Sequence, residues 1–296
     1  MTRSSLLSSC TLATVLLLCA PTSGQQLTGT LLDASSRQPV PFAYVYIGGT
    51  DTGTMSDSLG HYVLRTEGLP AGLADSLQVQ RIGYDRLSMP FSRLRGDSDT
   101  LLLCPLATLL EEVSLTSTGF SERVTLGHPG IKSRKFVAGW SGIQDRGSSS
   151  YFALSEIGTT VKVRPQTDHL LKSVRVNLAA NTFDSVLLRI NLYALEEGLP
   201  ADRLVHREIT TTAAGHAEKE YAEADLSAYH ITVNEDFAVT IEWLDAWEGP
   251  ASRRDDAQLL LSAQPLGGQL LVQRSPDAPW LPGKHWKLGV SLIALR

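Results

Sequence analysis

"GGTDTGTMSDSLGHYVLRTEG", residues 48–68, decides how the first third of the chain folds. Gly48, Gly49, Gly53 and Gly60 lie in it beside Asp51 and Asp57, a composition shared by phosphate loops, calcium loops and tight turns. A phosphate loop leads through its glycines into a helix whose N-terminus meets the anion, and a P-loop adds a Lys. Here the glycines lead to "HYVLR", a strand-like run, and no Lys follows them. A calcium loop spaces its oxygen ligands at fixed intervals and closes with Glu. Asp51, Asp57 and Glu67 are not so spaced. A turn needs only an Asp whose carboxylate takes amides two residues on and a Gly at positive φ. Asp57 and Gly60 supply both. The stretch is expected as turns: Gly48 and Gly49 end one strand, and "SDSLG" leads into the next, around Tyr62 to Leu64.

The runs on either side alternate with period two. "PFAYVYI" puts Ala43, Val45 and Ile47 on one face, and "SLQVQRIGY" does the same with Leu77 and Val79 before Gly83 interrupts. "DTLLLCPL" is a denser apolar strand in which Cys104 is expected as a small buried hydrophobe. Short strands separated by Gly, Pro, Asp and Ser clusters predict an antiparallel sandwich.

The stretch "LTGTLLDASSRQPVPFAYVYIGGTDTGTMSDSLGHYVLR" also resembles the carboxypeptidase regulatory-like domain of exported Bacteroidetes-type proteins. The resemblance is carried by Gly29, Asp33, Pro39, Val40, Pro41, Ala43, Val45, Ile47, Thr50, Gly53, Thr54, Asp57, Gly60 and Tyr62. It continues through Ile82-Gly83-Tyr84 and closes on Leu110, Glu112 and Val113. It covers roughly residues 26–115. It implies a seven-stranded, transthyretin-like (prealbumin-like) β-sandwich without catalytic residues of its own. The same module fronts TonB-dependent receptors, but 296 residues cannot hold their long barrel.

Residues 116–150 are rich in Gly and Ser and are expected as a linker. Alternation then returns over 151–296. "DSVLLRINLYAL" aligns Val186, Leu188, Ile190 and Leu192. "DFAVTIEWL" aligns Phe237, Val239, Ile241 and Trp243, and "HWKLGVSLIAL" aligns Trp286, Leu288, Val290 and Leu292. "LEEGLPADRL" is expected as a loop because Gly198 and Pro200 interrupt it. This half resembles a jelly-roll-like domain of exported Bacteroidetes proteins, on Glu156, Ile157, Gly158, Arg189, Asn191, Tyr193, Pro200, Asp225, Leu226, Tyr229, Phe237, Val239 and Trp243. The fold class expected is all-β, with two β-sandwich domains.

The first 24 residues carry Arg3, an apolar core from Leu12 to Leu18, and the small residues Thr22 and Gly24 before Gln25. That is the pattern of a secretory signal, too short to span a bilayer comfortably. A lipid anchor at Cys19 is the alternative, but Leu18 stands where a small residue is wanted. Cys10 and Cys19 leave with the signal, so Cys104 has no internal disulfide partner. The mature chain is expected to be exported, without a transmembrane segment, to the periplasm, the outer membrane or the cell surface. A net charge of −5 with no basic block argues against nucleic acid as a partner.

Catalytic patterns are missing from the sequence. Neither H-x-x-E nor H-E-x-x-H occurs, and His206 and Glu208 lack a clear third ligand. "GWSGI" around Ser141 ends in Ile143 where a nucleophile elbow needs Gly. Glu242, Asp245 and Glu248 offer carboxylates for glycoside hydrolysis, but they read as a solvated strand edge and loop. No metal or other cofactor is expected. The functional lead is aromatic. Trp247 and Glu248 in "DAWEG", with Trp280 and Lys284 in "DAPWLPGKHW", are the candidate ligand-binding residues. Trp243 and Trp286 alternate with core residues and are expected to be structural. The expected function is a non-catalytic, exported cell-envelope protein that binds or scaffolds an envelope glycan or protein. The alternatives are a surface glycan binder using those loop aromatics, and an unrecognised hydrolase.

Overall fold

The computed structural model describes residues 26–50, 52–66, 76–90, 93, 99–106, 119–129, 137–141, 156–215, 221–247, 258–283 and 285–296. Residues 1–24, expected as a signal, and Glu248, Lys284 and the closing Leu110, Glu112 and Val113 lie outside them. Among the described residues the chain is built from strands and turns, with a single-turn 3-10 helix at Ser227–Tyr229. No helix there is long and apolar enough to cross a membrane.

The first sandwich holds β1 (Gln26–Asp33), β2 (Tyr44–Ile47), β3 (Gly53–Met55), β4 (His61–Arg65), β5 (Ser76–Gln80), β6 (Leu87–Pro90) and β7 (Asp99–Leu103). They form a three-stranded sheet, β4-β1-β7, and a four-stranded sheet, β3-β2-β5-β6. All pairings are antiparallel except β1 with β7, which run parallel from Gly29 opposite Asp99 to Asp33 opposite Leu103. Alternation fills the space between the sheets with Leu27, Leu31, Val45, Ile47, Leu77 and Val79. Each such side chain contributes roughly 1.5–3 kcal/mol when fully buried.

The turn expected in the opening stretch is present. Asp57 Oδ1 accepts the amides of Leu59 (2.8 Å) and His61 (2.9 Å), and Gly60 sits at φ 75°. A Cβ at Gly60 would also lie 2.6 Å from the carbonyl oxygen of Leu31. Gly60→Val should therefore destabilise the protein by roughly 1–3 kcal/mol through strain at positive φ. Urea unfolding checks this; an unchanged midpoint would show that β1 and the turn move apart at no cost. Cys104 departs from expectation. It is exposed, because the alternation that turns Leu101 and Leu103 inward turns Leu102 and Cys104 outward.

The second sandwich begins earlier than expected. Two strands fall inside the span taken as a linker, β8 (Arg123–His128) and β9 (Val137–Ser141). Then come β10 (Glu156–Val161), β11 (His169–Asn181), β12 (Ser185–Glu196), β13 (Leu199–Arg203), β14 (Thr210–Ala214), β15 (Tyr221–Asp225), β16 (Thr232–Val233) and β17 (Phe237–Trp247). The last are β18 (Gln258–Pro265), β19 (Leu270–Gln273), β20 (Leu281–Pro282), β21 (Trp286–Leu288) and β22 (Val290–Leu295). One sheet runs β13-β12-β17-β10-β19-β20, with β14 also on β12. The other runs β21-β18-β11-β22-β8, with β15 and β16 on β11 and β9 on β18. The pairing of β8 with β22 is antiparallel, places Arg123 opposite Leu295, and is closed by a two-pronged Arg296–Glu122 ion pair. Gly and Ser around these short strands hid their alternation.

Between the two sheets lie Val186, Leu188, Ile190, Leu192, Phe237, Val239 and Ile241 from one side and Val174, Val176, Leu261 and Leu292 from the other. Trp243 and Trp286 pack against this core, as expected. "LEEGLPADRL" is a tight hairpin rather than a loop. Glu197 (φ 51°) and Gly198 (φ 82°) form a two-residue turn, and Glu196 pairs with Leu199. Two successive positive φ values match the right-handed twist of the flanking strands.

Candidate functional site: a polar seam between the sandwiches

Strand alternation gives the β12–β17–β10 sheet a second face. With Leu188, Ile190 and Leu192 turned to the core, β12 turns Arg189, Asn191 and Tyr193 the other way. Register sets Arg189 opposite Glu242, Asn191 opposite Thr240 and Tyr193 opposite Ala238, and it sets Glu156 of β10 on the other flank of Glu242. On an antiparallel sheet such a face ordinarily meets water. Here Arg189 and Glu242 are each only 1% exposed, because β2 of the first sandwich lies over them.

Side chains and carbonyls of both sandwiches meet there. The Tyr44 hydroxyl donates to Glu242 Oε2. Arg189 spends its guanidinium on three partners: Nη1 on Glu242 Oε2 (2.9 Å), Nε on Glu208 Oε1 (2.8 Å) and Nη2 on the Phe42 carbonyl (2.9 Å). Glu208 is also gripped from the first sandwich, by Arg81 Nη1 (2.8 Å) and Nη2 (2.6 Å). Arg81 Nε meanwhile holds the Pro41 carbonyl at 2.8 Å. At the rim, Arg86 pairs with Asp277. A buried carboxylate is tolerated only when paired and hydrogen-bonded, and bidentate guanidinium contacts are the strong form of that pairing.

A second carboxylate sits beside Glu242, on the cleft side. Glu156 accepts hydrogen bonds from Asn191 Nδ2, from the Thr240 hydroxyl, and from the Tyr193 hydroxyl at 3.1 Å on both oxygens. Asn191 Nδ2 also reaches Glu242 Oε1 at 2.5 Å, so one amide ties the two acids together. Burial first, then the neighbouring Glu242, pushes the Glu156 carboxyl up to about 7. Burial alone would raise Glu242 too, but Arg189, then Arg203 and the Tyr44 and Asn191 hydrogen bonds, hold it below its usual value. Glu208 is lowered as well: burial opposes the shift, and Arg189 and Arg81 outweigh it. Two adjacent acids thus divide into one that keeps its proton and one that does not.

Beside the seam is a cleft of about 280 Å³. Its second-sandwich wall is Glu156, Tyr193, Ala201, Asp202, Arg203, His206, Gln273, Pro276 and Trp280; the first sandwich contributes Tyr44 and Gln80. A neighbouring hollow of about 190 Å³ shares Tyr44, Gln80, Arg203 and His206 with it. The guanidinium of Arg203 lies over the Tyr193 ring at 4.9 Å, and the Trp280 ring meets the Tyr193 ring edge-on at 5.7 Å.

The expected binding residues are not gathered in one place. Trp280 lines the cleft, against Tyr193, which pairs with Ala238 near the start of β17. Trp247, 48% exposed, ends the same strand opposite Ser185. Ala238 and Trp247 are nine residues apart in β17, roughly 30 Å at strand rise, so the two indoles do not form one platform. Glu248 and Lys284 lie outside the described residues. Glu242 is not on a solvated edge but at the centre of the seam, and Asp245 is buried and accepts the Ala246 amide. The residues that do converge, Tyr44, Arg81, Glu156, Arg189, Arg203 and Glu208, left one trace in the sequence. "RINLYAL" puts Arg, Asn and Tyr on one face of a strand, more polar chemistry than a plain wet face requires.

Residues 27–115 match the family described as the CarboxypepD_reg-like domain. The first sandwich is therefore a domain of that kind, and the match ends before β8. No curated protein matches the chain.

Proposed function

We propose that the chain is a non-catalytic binding protein of the cell envelope, exported by its N-terminal signal, in which the two sandwiches act as one rigid unit and bind ligand in the cleft beside their seam. The observation that carries this reading is that the cleft has walls from both sandwiches, while the Arg81–Glu208–Arg189–Glu242–Tyr44 chain joins them. A preorganised cleft binds without the cost of ordering its walls. The non-catalytic part of the reading is supported by Glu242. A two-carboxylate hydrolase sets both acids on one open face, whereas Glu242 is enclosed by Tyr44, Arg189 and Asn191, and of the two acids that line the cleft Glu156 is buried in hydrogen bonds to Asn191, Thr240 and Tyr193 while Asp202 is exposed.

The test is affinity electrophoresis of the full chain against a panel of envelope polysaccharides and peptides. At least one should retard it, and Ala201→Trp, which fills the cleft from an exposed position on β13, should weaken that retardation at least tenfold with the melting temperature unchanged. Retardation by none of the panel, unchanged retardation of the variant, or turnover of any member would overturn the reading.

A further inference from the structure

We infer that the cleft takes a carboxylated sugar, a hexuronate unit of an acidic glycan, with its carboxylate on Arg203 and His206 and its ring against Trp280. The inference rests on the cleft being the binding site and adds the chemical class of what it binds.

Charge pairing across the seam singles out Arg203. Arg81 and Arg189 are matched to Glu208 and Glu242, and Arg86 to Asp277. Arg203 donates Nη1 to Asn191 Oδ1, a neutral acceptor, and forms no ion pair among the described residues. Its remaining N–H groups line a wall of the cleft, and its charge, which also acts on Glu156 and Glu242 without contacting either in an ion pair, faces that space. Stacking on Tyr193 holds the guanidinium plane in place, so a planar carboxylate meets a prearranged fork. His206, exposed and shared by both hollows, supplies a second donor. Two acids border the cleft: Glu156 keeps its proton up to about pH 7, so below that pH it does not repel a second carboxylate, and Asp202 is exposed, where water and salt screen its charge.

The rest of the lining suits hydroxyl groups rather than apolar side chains. Gln273 uses Nε2 on the Ala278 carbonyl (2.9 Å), which leaves Oε1 as an acceptor. Gln80 takes a long contact from the Tyr46 hydroxyl on Oε1 (3.4 Å), which leaves Nε2 as a donor. An indole face with a carboxamide donor and a carboxamide acceptor matches a sugar ring's apolar face and its rim of hydroxyls. The volume, just below the roughly 300–1,000 Å³ of ligand pockets, suits one ring-sized group rather than a long segment.

The experiment is calorimetric titration of the full chain with three probes of equal length: a trimer of galacturonic acid, its methyl ester, and the neutral galactose trimer. The acid should bind at least tenfold more tightly than either of the others, the effect of one charge-assisted contact, and rising salt should narrow that gap. His206→Gln should reduce the preference, and Arg203→Gln should abolish it while the neutral trimer binds as before. Equal binding of acid, ester and neutral sugar would overturn the carboxylate assignment and leave the cleft as a sugar site. Binding of an N-acetylated dipeptide with a free C-terminus, but of no sugar, would overturn the sugar and keep the carboxylate. Silence of every probe would overturn the inference alone, since the polysaccharide and peptide panel with Ala201→Trp decides separately whether the cleft binds anything.

Discussion

Arg189→Met should cost the protein about 3–5 kcal/mol, the toll of leaving a buried charge without its partner. The substitution keeps side-chain volume but strips Glu242 of its closest cation, halves the grip on Glu208 and orphans the Phe42 carbonyl. Glu242 has almost no water to turn to, at 1% exposure. At roughly 2–4 °C per kcal/mol for a domain of this size, the melting temperature should drop by about 10 °C. Adding Glu242→Gln should recover part of the loss, because the carboxamide is neutral and Tyr44 and Asn191 remain to hydrogen-bond it. Calorimetry on the single and double variants checks both expectations. A single-variant loss under about 1 kcal/mol, typical of an exposed ion pair, would mean that the seam is open to water.

Glu156 produces the second large effect, and it appears as a pH dependence. Its carboxyl, at about 7 in the folded chain against an ordinary 4.5, holds its proton to higher pH than in the unfolded chain. Between pH 4.5 and 7 the folded state therefore binds more protons, so stability falls as pH rises through that window. The contribution is fully present below 4.5 and gone above 7. With 1.36 kcal/mol per unit, it reaches about 3 kcal/mol. Glu242 and Glu208, both lowered, act in the opposite sense: their contribution is present above 4.5 and is lost as pH falls through their folded values. Urea unfolding at pH 4.5 and 7.5 should show a decline in the wild-type chain that Glu156→Gln flattens, since Gln stays neutral throughout. The same slope in both proteins would move the titration to another group.

Much of the architecture was legible because alternation is a local property. Leu77 and Val79, or Phe237, Val239 and Ile241, announce a buried face within a few residues, and Asp57 with Gly60 announces a turn by its own chemistry. The seam was not legible for the same reason. A charged residue on the outward face of a strand reads identically whether water or another domain covers it, so Glu242 looked solvated and Arg189 carried no assigned role. Only pairing across β12, β17 and β10, and the placement of β2 over them, brings Tyr44 to Glu242 across 198 positions of sequence. The tryptophans failed differently. Loop position suggested exposure for Trp247 and Trp280 alike, but nothing local says that Trp247 ends β17 while Trp280 packs on Tyr193, beside the other end of that strand.

The parallel pairing of β1 with β7 has a mechanical meaning. A pull between the start of β1 and the end of β7 slides the two strands along one another, so their cross-strand hydrogen bonds take the load together, in shear. The antiparallel pair β8 and β22 is loaded the other way. Arg123 and Leu295 sit side by side, so tension entering at one and leaving at the other peels the pair apart from that end, rung by rung. The two-pronged Arg296–Glu122 ion pair sits on the rung that such a pull reaches first. A tether drawn taut along this chain thus meets a clasp in its first half and a zipper, held by one small catch, in its second.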